Sequence, residues 1–129
     1  MFTELNVFRT ATAMAVHAGQ RQAVIAQNVA NADTPGYKAR DLAPFQDVLN
    51  NNDIGTSMRA SRAGHLNGTS NSELKWETFT PEAAADPNGN TVSIEKELLN
   101  GVEIKRQHEL ALAVYKSSMK ILRTSLGGA

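Results

Sequence analysis

The feature that most limits what this chain can fold into is a hard stop to helix at Asn31-Ala-Asp-Thr-Pro-Gly-Tyr37. Residues 3–32 read as one long helix, with Ala at 11, 13, 15, 18, 23, 26, 30 and 32. Thr3 is placed to cap it, and Glu4 falls in its first turn, where negative charge is favoured. The helix cannot continue past the next residues. Asn31, Asp33 and Thr34 compete for backbone hydrogen bonds. Pro35 lacks an amide proton and pushes Thr34 out of the α region. Gly36 supplies the positive φ that a type II turn needs after Pro35, and Tyr37 offers a ring to bury.

Two stripes run along the first helix at spacings of 3 and 4. One is Leu5, Phe8, Thr12, Ala15, Gly19, Gln22, Ala26 and Val29; the other is Ala11, Met14, Ala18, Arg21 and Ile25. Their small residues let another helix come close. Residues 93–126 read as that second helix. Ser93 caps it, Glu95 and Glu97 lie early, and Lys116, Lys120 and Arg123 crowd the end, an order that suits the helix dipole. Leu110, Val114 and Ile121, with Ala111, Tyr115 and Leu122, and with Leu112, Met119 and Leu126, form a wide apolar face. Leu98, Leu99, Val102 and Ile104 carry a narrower stripe, and Gly127-Gly128 ends the helix.

The middle is different. Ala43–Leu49 reads as a short helix capped by Asp41. Turn residues dominate from Asn50 onward. Lys75–Thr80 alternates as a strand would, with Met58–Leu66 as its candidate partner. The expected fold class is mainly α. Long N- and C-terminal helices pack as an antiparallel coiled-coil-like hairpin, and the irregular middle holds a short helix and a small β-hairpin. One structural domain is expected: residues 1–32 an N-terminal assembly helix, 33–90 the turn motif and irregular middle, and 91–129 a C-terminal assembly helix.

Thirteen basic residues balance thirteen acidic ones, so no field draws the chain to nucleic acid or anionic lipid. With no cysteine there is no disulfide, thiolate zinc site or cysteine nucleophile. No run approaches the about 18 apolar residues of a membrane span. Ala13-Met14-Ala15 resembles a cleavage site, but Glu4 occupies the would-be basic region and Thr10, Thr12 and His17 break the apolar run. No cleaved signal peptide is expected. His17, His65 and His108 lack metal-ligand spacing; His17 and His108, on the two long helices and able to face each other, read as polar seam residues. Glu103 and Glu109 read as helix-face charges, Ser117-Ser118 has no nucleophile elbow, and the glycines lack phosphate-loop spacing. No catalytic, cofactor-binding or metal-binding residue is expected. A cell-wall-acting enzyme built on His65 and Glu73 has no acid–base pair to support it.

Each long helix spans about 42–50 Å. Two packed helices have no third layer over their outer apolar positions, and the middle has few large apolar residues to supply one. The uncovered surface is expected to meet other chains. Asn28 and Asn31, one turn apart on one face, are candidates to hydrogen-bond a neighbouring chain's backbone.

Arg21–Asp41, RQAVIAQNVANADTPGYKARD, resembles the N-terminal signature of the flagellar axial and rod protein family. Met58–Leu66 is similar to the family's weaker central motif. Asp86-Pro-Asn-Gly-Asn-Thr-Val92 resembles its Asp-Gly-Asn-x-Val turn before the last helix, with Pro87 and Asn88 separating Asp86 from Gly89. The resemblance implies a structural subunit of the proximal rod of the bacterial flagellar basal body. Such a subunit assembles through its terminal helices into a torque-transmitting shaft and export channel. It implies type III export without a cleaved signal, a place in the periplasmic space, a role in motility, and no enzyme activity or cofactor. The implied partners are further copies, the neighbouring rod protein FlgC, the adaptor FliE, the export apparatus and the membrane ring, with no nucleic acid and no small-molecule substrate. Another axial or adaptor protein, FlgC-like, is the alternative. The expected interface and motif residues are Asn28, Asn31, Asp33, Thr34, Pro35, Gly36 and Tyr37, with Leu110, Val114, Tyr115, Ile121 and Leu122 on the last helix.

Overall fold

The computed structural model describes residues 2–51 and 76–127. Its elements in chain order are α1 (Phe2–Ala30), β1 (Asp41–Leu42), α2 (Phe45–Asn51), β2 (Thr78–Phe79) and α3 (Ile94–Ser125). Helices α1 and α3 lie antiparallel. The Phe8 ring sits 4.4 Å from that of Tyr115 toward one end, and Ala18, Ile25 and Ile104 form the buried apolar cluster further along.

The seam has a heptad period. On α3 the buried residues are Glu97, Ile104, Ala111 and Ser118, seven apart each time. On α1 they are Ala11, Ala18 and Ile25, with buried Asn28 and half-buried Met14 and Arg21 completing a 3-4 alternation. This is the pattern of a coiled-coil seam. Four of these ten are Ala or Ser, so the helices approach closely there but bury little. Ile104, His17, Asn28 and Asn90 are the largest fully buried side chains, and only the first is apolar. Full burial of Ile104 is worth about 1.5–3 kcal/mol. Polar contacts therefore carry much of the positioning.

A two-helix pair has only one seam, so it buries mainly one of the two α1 stripes, with Phe8 of the other packed on Tyr115. The structure turns the Ala11–Ile25 stripe inward. It leaves Leu5, Gly19, Gln22, Ala26 and Val29 of the other stripe exposed.

At α3 the ends match the sequence signals. Ser93 accepts the Lys96 amide at 3.4 Å, and Gly127 follows the last turn with φ 73°. Three local expectations are corrected. Helix α1 begins at Phe2, so Thr3 lies inside it rather than at its cap. Helix α2 begins at Phe45, with the Asp47 and Val48 amides donating to the Pro44 carbonyl. Asp41 does not cap α2, because it belongs to β1 and its carboxylate is held by Arg21.

The small sheet is antiparallel, with Asp41 opposite Phe79 and Leu42 opposite Thr78. The strand expected within Lys75–Thr80 is thus partnered by the segment that follows the turn motif. The suggested pairing with Met58–Leu66 lies outside the described residues. Among the described residues no helix is long and apolar enough to cross a membrane.

Candidate functional site

The last carbonyls of a helix have no intrahelical donor. Here one side chain supplies three of the carbonyls that follow α1. Asn90 Nδ2 donates to the carbonyls of Asn31 at 2.9 Å, Ala32 at 2.9 Å and Thr34 at 2.8 Å. Two amide protons serve three acceptors, so at least one proton is shared. Asn90 Oδ1 accepts the Val92 amide at 2.7 Å. The turn that presents Asn90 is closed by the Gly89 amide donating to the Asp86 carbonyl and the Asp86 amide donating to the Asn90 carbonyl, both at 2.8 Å.

The two turn motifs then join. The Tyr37 amide donates to the Thr34 carbonyl at 3.2 Å across Pro35-Gly36, and Gly36 has φ 73°, the geometry expected of a type II turn. The Gly36 amide donates to the Asn88 carbonyl at 2.9 Å, and the Thr91 amide to the Tyr37 carbonyl at 3.1 Å. Thr91 Oγ1 accepts the Ala39 amide at 2.9 Å. Gly89 has φ 85°, and a Cβ on it would lie 3.4 Å from Gly36 Cα. A glycine therefore stands where the two backbones approach.

Beyond the turn, residues 37–40 run back along α1. Asn28 Nδ2 donates to the Arg40 carbonyl at 2.7 Å, while Asn28 Oδ1 accepts the Arg40 amide at 3.0 Å and the Tyr37 hydroxyl at 3.3 Å. The Asn28 amide, expected as a candidate to meet a neighbouring chain, is thus engaged within its own chain. Among the described residues the extended strap has no strand partner at residue 40, and the Asn28 side chain takes that place. Asn31 is also engaged in its own chain. It donates to the Gln27 carbonyl at 2.8 Å and accepts the Thr34 hydroxyl at 3.2 Å.

Two further clips hold the strap. Arg21 grips Asp41 with both arms, Nε to Oδ1 at 2.8 Å and a terminal nitrogen to Oδ2 at 2.9 Å. His17 Nε2 donates to the Ala43 carbonyl at 2.8 Å. The His17 ring is packed 5.5 Å from Phe45 and 5.1 Å from Trp76, so it faces the strap and not His108. Its Nδ1 is buried without a partner, and burial lowers its pKa. Glu97 enters the seam beside the Asn28 amide. Its Oε2 has no partner, and burial raises its pKa.

The twelve residues expected at an interface divide into groups. Asn28, Asn31, Tyr37 and Tyr115 have contacts within the chain. Val114 and Leu122 are half-buried. Asp33, Thr34, Pro35 and Gly36 form the exposed outside of the turn, and Leu110 and Ile121 are exposed on α3. Sequence reasoning assigned no role to Asn90 or Thr91, although the motif around them was visible. Nor did it pair Arg21 with Asp41, whose link depends on the path of the strap.

The outer faces of the hairpin are apolar in places. Leu98, Leu99 and Val102 are 70%, 71% and 65% exposed.

The sequence profile of the family described as "Flagella basal body rod protein" matches residues 9–38, from the first turns of α1 through the strapped turn. The "Flagellar basal body rod protein FlgB" of Agrobacterium fabrum (strain C58) is 30% identical over 121 residues, covering 92% of this chain and 90% of the relative. That of Escherichia coli (strain K12) is 31% identical over 113 residues, 78% of each. That of Bacillus subtilis (strain 168) is 24% identical over 108 residues, covering 84% of this chain and 83% of the relative.

Proposed function

Because this chain belongs to the FlgB family of flagellar basal body rod proteins, we propose that it is a structural subunit of the proximal rod, built to be packed among other chains. The observation that carries this reading is the apolar surface left on both long helices. Leu5, Val16 and Val29 on α1 and Leu98, Leu99, Val102, Leu110 and Ile121 on α3 are exposed. Such surface on a small chain marks contact with other proteins. The knot of Asn28, Asn90 and the two glycine turns fixes the angle at which the strap leaves the hairpin, so the helices reach their neighbours as one preformed unit.

The partners are further rod-building chains: copies of this one, the rod protein FlgC and the adaptor FliE, beside the export apparatus and the membrane ring. The subunit works in the periplasmic part of the basal body after export without a cleaved signal. Its terminal helices, residues 1–32 and 91–129, are the assembly segments. Residues 33–51 and 76–90 brace them, and the chain catalyses no reaction. Asp33, Pro35, Leu110 and Ile121 are the expected interface residues that remain free for this role.

The test is deletion of the gene in its own bacterium, followed by complementation. Deletion is expected to abolish rods and swimming, and the wild-type chain to restore both. Leu98→Asp with Val102→Asp, on an exposed face, is expected to leave the helical circular dichroism unchanged and to fail in complementation. Intact rods in the deletion strain would overturn the reading.

A further inference from the structure

The two ends of the hairpin differ in charge. Arg9, Lys116, Lys120 and Arg123 are exposed where the start of α1 meets the end of α3. Residues 1–16 hold a single acidic residue, Glu4, and residues 110–127 hold none. Exposed Leu5, Ile121 and Leu126 lie in the same stretches. At the opposite end an open groove of about 510 Å³ lies between the strap, the 81–86 segment and the first turns of α3. Its lining carries five carboxylates, Asp33, Asp41, Asp86, Glu95 and Glu97, against the two cations Arg40 and Lys96. Arg21 already neutralises Asp41. Asp33, Asp86 and Glu95 are exposed. Glu97 touches the groove as well, but it is only 5% exposed and its unpartnered oxygen is itself buried. A groove with three exposed carboxylates and apolar surface at Pro81 and Ile94 suits a cationic, partly apolar guest.

We propose that the guest is a second copy of this chain, whose basic end seats in the groove of the first, head to tail. The inference rests on the rod-subunit reading and adds which surfaces meet. Guest and host surfaces occur on the same molecule, so each copy accepts one neighbour and enters another. Such heterologous contacts build an open stack when their rotation does not close a ring. The contact is electrostatic at an exposed site, so salt weakens it.

The chain has no natural cysteine, which makes cross-linking clean. Positions 95 and 120 both lie on α3, about 37 Å apart along the axis at about 1.5 Å per residue. A disulfide spans Cα atoms only about 4.4–6.8 Å apart, so no 95–120 link can form within one copy. The full-length double variant Glu95→Cys/Lys120→Cys, oxidised at low ionic strength, is expected to give a ladder of covalent oligomers. Peptide mapping should find 95–120 links dominant, and half-molar sodium chloride should cut the yield at least about fivefold. Links 95–95 and 120–120 as abundant as 95–120 would overturn the proposal.

A second measurement uses no cysteine. Lys116→Glu/Lys120→Glu and Asp86→Lys/Glu95→Lys should each sediment as monomers alone and form alternating hetero-oligomers when mixed. A mixture that stays monomeric overturns the contact. So does a wild-type chain that remains monomeric but binds phosphatidylglycerol vesicles through its basic end. If the charge-reversed chains still build rods in cells, the contact falls while the subunit reading stands. Rods in the deletion strain would remove the subunit reading itself.

Discussion

Asn28 holds Arg40 as a neighbouring β-strand would, donating to its carbonyl at 2.7 Å and accepting its amide at 3.0 Å. A helix side chain thus supplies the ladder partner that an isolated extended strap lacks. Asn28→Ala leaves the Arg40 amide and carbonyl and the Tyr37 hydroxyl without this partner. The expected loss is about 2–4 kcal/mol, since each unsatisfied buried group costs about 1–3 kcal/mol. Urea denaturation checks it. Asn28→Asp, which keeps the acceptor, loses the donor and adds a charge beside Glu97, should be at least as damaging at neutral pH.

The two motif glycines should tolerate alanine about equally. Both have positive φ, which costs a non-glycine residue about 1–2 kcal/mol. A Cβ at Gly36 meets nothing within 4 Å, and one at Gly89 makes only an ordinary contact, 3.4 Å from Gly36 Cα. Gly36→Ala and Gly89→Ala are therefore each expected to destabilise by about 1–2 kcal/mol through backbone strain, with thermal midpoints as the measure.

Acid should weaken the strap at His17 first. Its neutral ring donates from Nε2 to Ala43, and Nδ1 has no acceptor to receive a second proton's hydrogen bond. Burial is the main cause that lowers its pKa, with nearby Arg21 adding to the effect and the Ala43 hydrogen bond and Asp41 opposing it. The unfolded chain then takes up a proton more readily than the folded one. This contribution is fully present above the ordinary value of 6.5 and declines as pH falls below it, with a slope of at most about 1.4 kcal/mol per pH unit for one proton. His17→Gln retains a donor and should flatten the stability profile in that window.

Glu97 works in the opposite direction. Its pKa is raised, chiefly by burial, so deprotonation favours the unfolded chain. Stability from this site is greatest below the ordinary value of 4.5 and declines as pH rises through the raised folded value. In dilute monomer, Glu97→Gln should raise the urea midpoint at pH 7 and bring no gain at pH 4. An equal gain at both values would show that charge is not the cause.

The sequence alone determined what depends on near neighbours. Pro35 and Gly36 stop the first helix and set its turn, Ser93 and Gly127 bound the last helix, and spacings of 3 and 4 announce a helix pair. These signals are local, because caps, proline sterics and positive φ act within a few residues. Only the tertiary structure decided which α1 stripe faces inward, that Asp41 answers Arg21 instead of capping α2, and that Asn90 serves the end of a helix 56–59 residues earlier. An asparagine amide is equally ready to bond its own strap or another chain, and composition carries no preference between them. The path of the backbone after Gly36 makes that choice by bringing Arg40 within reach of Asn28 before any neighbour arrives.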